Sequence, residues 1–251
     1  GLSYGGSLAR KEATGYGLCY FVNKMLEKMA NTNFLGKTVI ISGSGNVALY
    51  ALQKVTELGG KVVAMSDSNG YIYDENGINF EILKELKEVK RERISKYKEI
   101  VKTSEYHEGS SNMWSVPCDI AFACATQNEI NLENAKILVK NGVKAIGEGA
   151  NMPCTIDATN YFIENKIMYA PAKAANSGGV MVSGFEMSQN SMRLPWTFEE
   201  VDSKLKTQME KIFENVFECA KNYGNEYNLL LGANICGFEK VSNAMIFEGV
   251  C

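Results

Sequence analysis

Histidine is nearly absent from this chain of 251 residues, in which His107 is the only one. That residue lies in a polar stretch, residues 104–112, where we expect a surface loop. A Ser-His-Asp triad needs a histidine held beside the nucleophile, and a histidine-based zinc site needs more than one. The sequence therefore disfavours both kinds of catalytic centre.

Paired cysteine motifs, long apolar runs and a strong net charge are absent as well. The seven cysteines are scattered and form no C-x-x-C motif, so we interpret them as reduced thiols of an intracellular protein. No apolar run could span a bilayer, and a formal net charge of −3 gives no reason to expect nucleic acid or an anionic membrane as a partner. We expect a cytoplasmic protein. Organelle targeting stays open, because the opening residues GLSYGGS resemble a domain junction more than a natural start.

The stretch Thr38–Ala51 carries the most informative pattern. A β-branched run leads into a G-x-G-x-x-A turn made by Gly43, Gly45 and Ala48, a helical pattern follows, and a second apolar run ends at Asp67. In such a unit the first glycine permits the turn, and the second lets backbone N–H groups approach a pyrophosphate. The small third residue lets the helix pack on the strand. An ordinary glycine turn is the alternative, and the flanking strands, helix and acid favour a dinucleotide site over it.

Strands and helices go on alternating after this unit. Buried-strand candidates at residues 118–124, 143–146 and 167–170 are separated by helical segments, and residues 71–73 are expected to form a short strand. We predict an α/β fold, with a Rossmann-like doubly wound, mostly parallel sheet and a C-terminal helical extension. Ligands bind at the carboxyl ends of the strands in such sheets. Polar side chains follow three successive strands here: Thr126, Gln127, Asn128, Asn151 and Asn176.

The first helix is expected over residues 10–29. Arg10 and Thr14 would share a face near its start. Gly15 and Gly17 are costly inside a helix, so we expect something to approach its backbone closely.

Further helices are expected in the charged segment 79–102, over residues 178–192 and from about residue 197 to 223. Lys90 and Arg93 in the charged segment would face the same way and could reach a phosphate. A terminal helix is expected to turn four apolar side chains inward: Phe238, Val241, Met245 and Ile246.

Six segments taken together resemble the cofactor domain of the hexameric glutamate dehydrogenases. They are GGSLARKEATGYG, SGSGNVALYA, CATQNE, GEGANMP, PAKAANSGGVMVSGFEMSQNS and GANICGFEKVSNAM. Members of that family interconvert glutamate with 2-oxoglutarate and ammonia, using NAD(P). The resemblance runs nearly from end to end of the chain and implies the same activity and the same hexamer for the full-length protein.

The resemblance also implies roles for individual residues. Matching positions would touch the cofactor: Ser44, Asn46 and Val47 at the pyrophosphate, Ala125 and Thr126 at the adenosine, Asn151 at the nicotinamide ribose, and Thr14, Asn176 and Gln127 at the carboxamide. Ser183 would contact a carboxylate of the substrate. Arg10 belongs to the same motifs, and its role stays open between cofactor contact and support.

The family's catalytic lysine and aspartate lie in an N-terminal substrate domain that has no counterpart here. We therefore expect a fragment, with a dinucleotide-binding domain over residues 1–195 and a helical segment over residues 196–251 that packs back on it. Such a chain should bind cofactor without turning over glutamate. Two alternatives stay open: a dehydrogenase of the leucine, phenylalanine or valine type, and a cofactor-binding module without catalysis.

The choice between NAD and NADP depends on the residues around Asp67. An acid at the end of the second strand normally binds a ribose hydroxyl and repels a 2′-phosphate, which favours NAD. Ser66 and Ser68 can donate to a phosphate, however, and Lys90 and Arg93 can supply positive charge. The Ser66-Asp67-Ser68 pattern also resembles that of NADP-linked family members. We predict NADP, with Lys90 as the principal phosphate ligand.

Overall fold

A seven-stranded sheet forms the centre of the computed structural model, which describes residues 2–249. Its strands are β1 (Thr38–Ile41), β2 (Lys61–Ser66), β3 (Gly70–Tyr73), β4 (Glu105–Glu108), β5 (Ile120–Ala123), β6 (Ala145–Glu148) and β7 (Met168–Ala170), in the order β4-β3-β2-β1-β5-β6-β7. Strands β2, β1, β5, β6 and β7 are parallel, whereas β3 and β4 extend one edge in antiparallel fashion. The predicted doubly wound, mostly parallel sheet is confirmed.

Helices cover both faces of this sheet. They are α1 (Ala13–Ala30), α2 (Asn46–Glu57), α3 (Phe80–Lys84), α4 (Tyr97–Ile100), α5 (Leu132–Lys140), α6 (Ile156–Glu164), α7 (Ala172–Ala175), α8 (Gly178–Met192), α9 (Phe198–Asn222) and α10 (Leu229–Glu248). Successive strand residues point to opposite faces. Val39 and Ile41 therefore pack into a core shared with α1, α2 and α9, whereas Ile40 packs into a second core with α5 and α6.

Two glycines of α1 lie where neighbouring backbones come closest. A Cβ atom added to Gly15 would lie 2.6 Å from the amide nitrogen of Ala51 in α2, and one added to Gly17 would lie 2.9 Å from the Cα atom of Gly178 in α8. Neither position can hold a side chain unless a helix moves. The predicted close approach to the first helix is confirmed, and other helices make it.

The polar stretch around His107 is a strand and not the expected loop. Residues Glu105–Glu108 form β4, which pairs with β3 and places His107 opposite Tyr71. The two rings stack with centroids 4.9 Å apart. An edge strand with exposed polar side chains lacks the apolar alternation by which strands are recognised in a sequence, and this explains the error.

The two C-terminal helices differ in how well their predictions agree with the structure. Helix α9 lies where it was expected and begins with a capping box between Thr197 and Glu200. The predicted inward face of α10 is wrong, because its four side chains are exposed: Phe238 71%, Val241 60%, Met245 47% and Ile246 77%. Only the first turn of α10 is buried, at Leu229 and Gly232. Among residues 2–249, no helix combines the length and apolar character needed to cross a membrane.

Candidate cofactor-binding site

The two glycines of the turn between β1 and α2 have different roles. Gly43 has a φ of +84°, and a Cβ atom there would lie 3.1 Å from the Cα atom of Ala125, so the fold itself requires this glycine. Gly45 has an ordinary φ of −84°, and within residues 2–249 no atom apart from its own and its chain neighbours' lies within 4 Å of where its Cβ would be. The backbone at Gly45 would accept a side chain, and the space beside it is open.

Gly45 is also the N-cap residue of α2 and has no side chain to accept a hydrogen bond from the first turn. The first N–H groups of that helix therefore have no capping side chain, and the helix dipole places partial positive charge at them. Open space beside such a helix end suits an anion such as a pyrophosphate. The turn thus fits the dinucleotide that the sequence predicts.

A cleft of 560 Å³ lies at the carboxyl ends of β1, β2 and β5. It brings together nine residues that the sequence analysis proposed: Gly43, Ser44, Gly45, Ser66, Asp67, Ser68, Arg93, Ala125 and Thr126. Asn46 and Val47 form the start of α2 directly beside it. Gln127 follows Thr126 and is exposed. Residues from distant parts of the sequence thus meet at the sheet edge where ligands bind in this class of fold.

The carboxylate of Asp67 is turned into the protein. One oxygen accepts hydrogen bonds from the backbone N–H groups of Asn69 at 2.9 Å and Gly70 at 3.3 Å, and the other accepts from Ile94 at 3.3 Å. The residue is 9% exposed. Asp67 therefore shapes the two loops at this end of the cleft, and its oxygens already have partners.

Of the residues around Asp67, Ser66 supports the glycine turn, whereas Ser68 and Arg93 face the cleft. The Ser66 hydroxyl accepts a hydrogen bond from the backbone N–H of Gly43 at 3.0 Å and holds the glycine turn. The Ser68 hydroxyl accepts one from the guanidinium of Arg93 at 2.7 Å and is more exposed. The Arg93 guanidinium lies 3.8 Å from Asp67, so it neutralises that acid from the side of the cleft.

Lys90 does not line this cleft. Its ammonium group pairs with Glu85 at 2.9 Å, and that hydrogen bond raises its pKa. The prediction that Lys90 and Arg93 share a helix face is wrong, because the helix ends at Val89 and Arg91 adopts a left-handed conformation. The residues Glu85–Val89 form a π-helical turn, which shifts the register of side chains relative to an α-helix.

Several lining residues escaped the sequence analysis: Lys87, Ser110, Ser111, Trp114 and Glu129. The Lys87 ammonium group donates to the carbonyl of Glu92 at 2.9 Å. A carboxylate oxygen of Glu129 accepts from the backbone N–H groups of Ala125 at 3.0 Å and Thr126 at 3.3 Å, and burial raises the pKa of this acid. The short spacing within CATQNE could have signalled such a turn. No sequence pattern marks the serines.

The polar residues that follow β6 and β7 also meet. The side-chain amide of Asn176 donates to the side-chain oxygen of Asn151 at 2.8 Å. Lys173, between them in the sequence, donates to the side-chain oxygen of Asn234 in α10 at 2.5 Å. The amide pair lies at the part of the sheet edge that the resemblance assigns to nicotinamide.

Arg10 and Ser183 meet although they lie 173 positions apart. The Arg10 Nε donates to the Ser183 hydroxyl at 2.9 Å, and that hydroxyl donates to the carbonyl of Gly179 at 3.2 Å. Thr14 lies against Gly179, because a Cβ atom there would be 2.5 Å from the Thr14 hydroxyl. Arg10 lies just before α1, and not inside a helix that begins at residue 10 as expected. Its guanidinium lies beside the Ser183 hydroxyl of α8, an arrangement that can bind a carboxylate.

This chain is similar along its whole length to known proteins. It is 50% identical over 256 residues to the NADP-specific glutamate dehydrogenase of Helicobacter pylori, covering 100% of this chain and 57% of that protein. It is 51% identical over 257 residues to the NAD(P)-specific glutamate dehydrogenase of Xylanibacter ruminicola, covering 100% of this chain and 56% of that protein. The crystal structure of Plasmodium falciparum glutamate dehydrogenase superposes on this chain with a TM-score of 0.95 at 49% sequence identity. The match covers 100% of this chain and 54% of the Plasmodium chain.

This chain therefore spans about half the length of the relatives that it matches. Residues 5–249 match the family model described as Glutamate/Leucine/Phenylalanine/Valine dehydrogenase. The matched residues include the glycine turn, the cleft, the pair Asn151 and Asn176, and the pair Arg10 and Ser183. The chain belongs to the Glutamate/Leucine/Phenylalanine/Valine dehydrogenase family.

Proposed function

We propose that this chain is the cofactor-binding part of an NADP-dependent glutamate dehydrogenase, which deaminates L-glutamate oxidatively to 2-oxoglutarate and ammonia and runs the reverse reaction. The observation that carries the cofactor assignment is the open space beside Gly45 at the uncapped end of α2. The substrate assignment is supported by relatives about 50% identical that are named for glutamate.

The domain division at residue 195, a hexamer of the full-length protein and a cytoplasmic location belong to the same proposal. The six described free cysteines suit a reducing compartment.

The residues of this chain would hold the dinucleotide along the sheet edge. Backbone groups of Ser44, Asn46 and Val47 would bind the pyrophosphate, and Ala125 and Thr126 would contact the adenosine. Bound NADP supplies the hydride-accepting ring, and the protein supplies its placement.

The far end of the site would hold the nicotinamide and the substrate. Asn151 would meet the ribose, Thr14 and Asn176 would hold the carboxamide, and Gln127 would lie close by. Ser183 would bind a carboxylate of glutamate. Because the Arg10 guanidinium donates to the Ser183 hydroxyl, we assign Arg10 to the substrate side as the source of positive charge.

Relatives of nearly equal identity carry NADP-specific and NAD(P)-specific names, so the preference for NADP depends on the residues of the cleft. The Asp67 carboxylate is already occupied by backbone N–H groups, so it is poorly placed to accept from a ribose hydroxyl. Arg93, Ser68 and Lys87 line the same end of the cleft and can all donate to a 2′-phosphate. We propose Lys87 as the lysine of this site, in place of Lys90.

Calorimetric titration of the chain with NADP and NAD at fixed salt tests this assignment. Lys87→Ala should weaken NADP binding about tenfold to a hundredfold and leave NAD binding nearly unchanged, since a charged hydrogen bond contributes about 1.5–3 kcal/mol. Lys90→Ala is the matched control, because that ammonium pairs with Glu85 outside the cleft. Equal affinity of the wild type for both cofactors, or a loss confined to Lys90→Ala, would contradict the proposal.

A further inference from the structure

Glu148 is a buried acid at the carboxyl end of β6, and none of the roles described above involves it. The residue is 4% exposed. One carboxylate oxygen accepts a hydrogen bond from the backbone N–H of Cys154 at 3.2 Å, and the other accepts from the backbone N–H of Ala172 at 2.8 Å. A single side chain thus joins the loop that follows β6 to the helix that follows β7.

The two joined segments carry the amide pair of the site. Asn151 lies in the loop between Glu148 and Cys154, and Asn176 caps the short helix α7 that begins at Ala172. The Asn151 side chain is exposed, so packing does not hold it in place. The carboxylate holds the backbone of both segments that carry the amide pair. The Asn176 side-chain amide joins the same segments by donating to the side-chain oxygen of Asn151 at 2.8 Å and to the carbonyl of Ala150 at 3.4 Å.

The chemistry of this position requires a carboxylate. A buried charge is unfavourable unless hydrogen bonds satisfy it, and two backbone donors from different segments do so here. An ionised acid presents an acceptor oxygen to each donor, whereas glutamine presents one oxygen and one NH₂ group. Glutamine would therefore set its NH₂ group against one of the two N–H groups and break one connection at nearly constant volume.

We propose that Glu148 is a positioning residue for the nicotinamide half of the dinucleotide, acting through the backbone at Cys154 and Ala172. This inference rests on the proposed function, because it assumes that Asn151 and Asn176 face the nicotinamide. The proposed role distinguishes an adenosine end of the site from a nicotinamide end. The adenosine end is organised around β1, β2 and β5, whereas Glu148 acts at β6 and β7.

The test uses two probes on the full chain of 251 residues. The first is NADPH, followed by the fluorescence of its reduced nicotinamide, and the second is 2′,5′-ADP, which carries only the adenosine end. Glu148→Gln should weaken NADPH binding about tenfold and abolish the fluorescence change on binding, while 2′,5′-ADP affinity stays within about twofold. Glu133→Gln, at an exposed glutamate of α5, is the matched control and should leave both probes unchanged.

Ala172→Pro removes the second donor without touching the acid. Ala172 is the first residue of α7, where proline is well accepted, and the preceding Pro171 already has a compatible extended conformation. This variant should reproduce the selective loss of nicotinamide binding, which a general loss of stability would not produce. Circular dichroism and thermal melting establish that each variant is folded.

The outcomes separate the two proposals. A wild-type chain that binds neither probe refutes the proposed function and this inference with it. If the wild type binds both probes, equal loss of both in folded variants, no loss in either, or failure of both Glu148→Gln and Ala172→Pro to fold would show that Glu148 is merely structural. A selective loss in either folded variant supports the positioning role.

Discussion

The difference between Gly43 and Gly45 gives a test at the scale of single atoms. Gly45→Val should abolish binding of NADP and NAD while leaving the fold intact, because its Cβ atom would lie in the open space beside α2 and its methyl groups would fill the place of the pyrophosphate. Calorimetry measures the binding, and circular dichroism with thermal melting measures the fold. Gly237→Val, at an open position on α10, is the matched control and should keep its affinity. Retained affinity in a folded Gly45→Val would place the phosphates elsewhere.

Cys118 gives a second test at this scale, on pH dependence. Burial, followed by the charge of Asp119, raises the pKa of this thiol to about 12. The folded state therefore favours the protonated thiol. This contribution to stability is fully present below the ordinary thiol pKa of about 9 and is lost as the pH rises toward 12.

Cys118→Ala should remove that slope from the free energy of unfolding. Between pH 9 and pH 10.5 the wild type should lose about 2 kcal/mol more than the variant, since each pH unit in this window corresponds to about 1.4 kcal/mol for one group. Urea denaturation at the two pH values measures the difference. Parallel pH profiles for the two proteins would show that the thiol is not held protonated by the fold.

At the scale of elements, the contact of α1 with α2 sets a limit on side-chain size. Gly15→Ala should lower the free energy of unfolding by about 1–3 kcal/mol, as overpacked positions do, because its Cβ atom would lie 2.6 Å from the Ala51 nitrogen. Gly184→Ala in α8 is the control. No neighbouring part of the described chain lies within 4 Å of a Cβ atom added there, so alanine should be neutral or stabilise by up to about 1 kcal/mol. Equal urea midpoints for the two variants would contradict the close contact.

The helices and strands also differ in how well they could be predicted from the sequence. The parallel strands and α9 were predictable because their apolar periodicities match their burial, as at Val39, Ile40 and Leu205. The face of α10 was not, because Phe238 follows an amphipathic pattern although no described residue covers it. Amphipathicity indicates that a face is suited to burial and leaves unspecified what buries it.

Some residues of the candidate site could likewise be predicted from the sequence, and others could not. Its glycine turn has a spacing that physical chemistry dictates, so Gly43 and Gly45 could be recognised directly. Lys87 and Lys90 could not be told apart, because a π-helical turn changed the register between them. Glu148 lies within the recognisable segment GEGANMP, yet its two partners lie 6 and 24 positions away and only the folded sheet brings them together.

At the scale of the whole molecule, we expect this chain to bind cofactor and not to turn over glutamate. Among residues 2–249, the Ser183 hydroxyl hydrogen-bonds to the Arg10 guanidinium and to the carbonyl of Gly179, and neither is a suitable general base. The ammonium group of Lys173, which follows β7, donates to the side-chain oxygen of Asn234. Proton transfer by a positioned side chain contributes about 10²–10⁴-fold to a rate, and holding both reactants in place contributes more.

An absorbance assay with saturating NADPH, 2-oxoglutarate and ammonium tests this expectation. Turnover of about 1–10³ per second, the ordinary range for enzymes, would contradict it and would place a catalytic base within these residues. Lys173→Ala would then be the first variant to measure. Binding of NADPH without turnover is the expected result.

The hydrogen bond between Arg10 and Ser183 has a consequence for biosynthesis. It joins residues 173 positions apart, and a ribosome adds about 5–20 residues per second, so Arg10 is added about 9–35 seconds before Ser183. During that interval the N-terminal part of α1 cannot pack against α8, since Gly178 and Ser183 have not been made. Contacts of such long range form slowly because the intervening chain must first be ordered. The contact of α1 with α8 therefore forms late, whereas its contact with α2 needs only the residues up to Glu57.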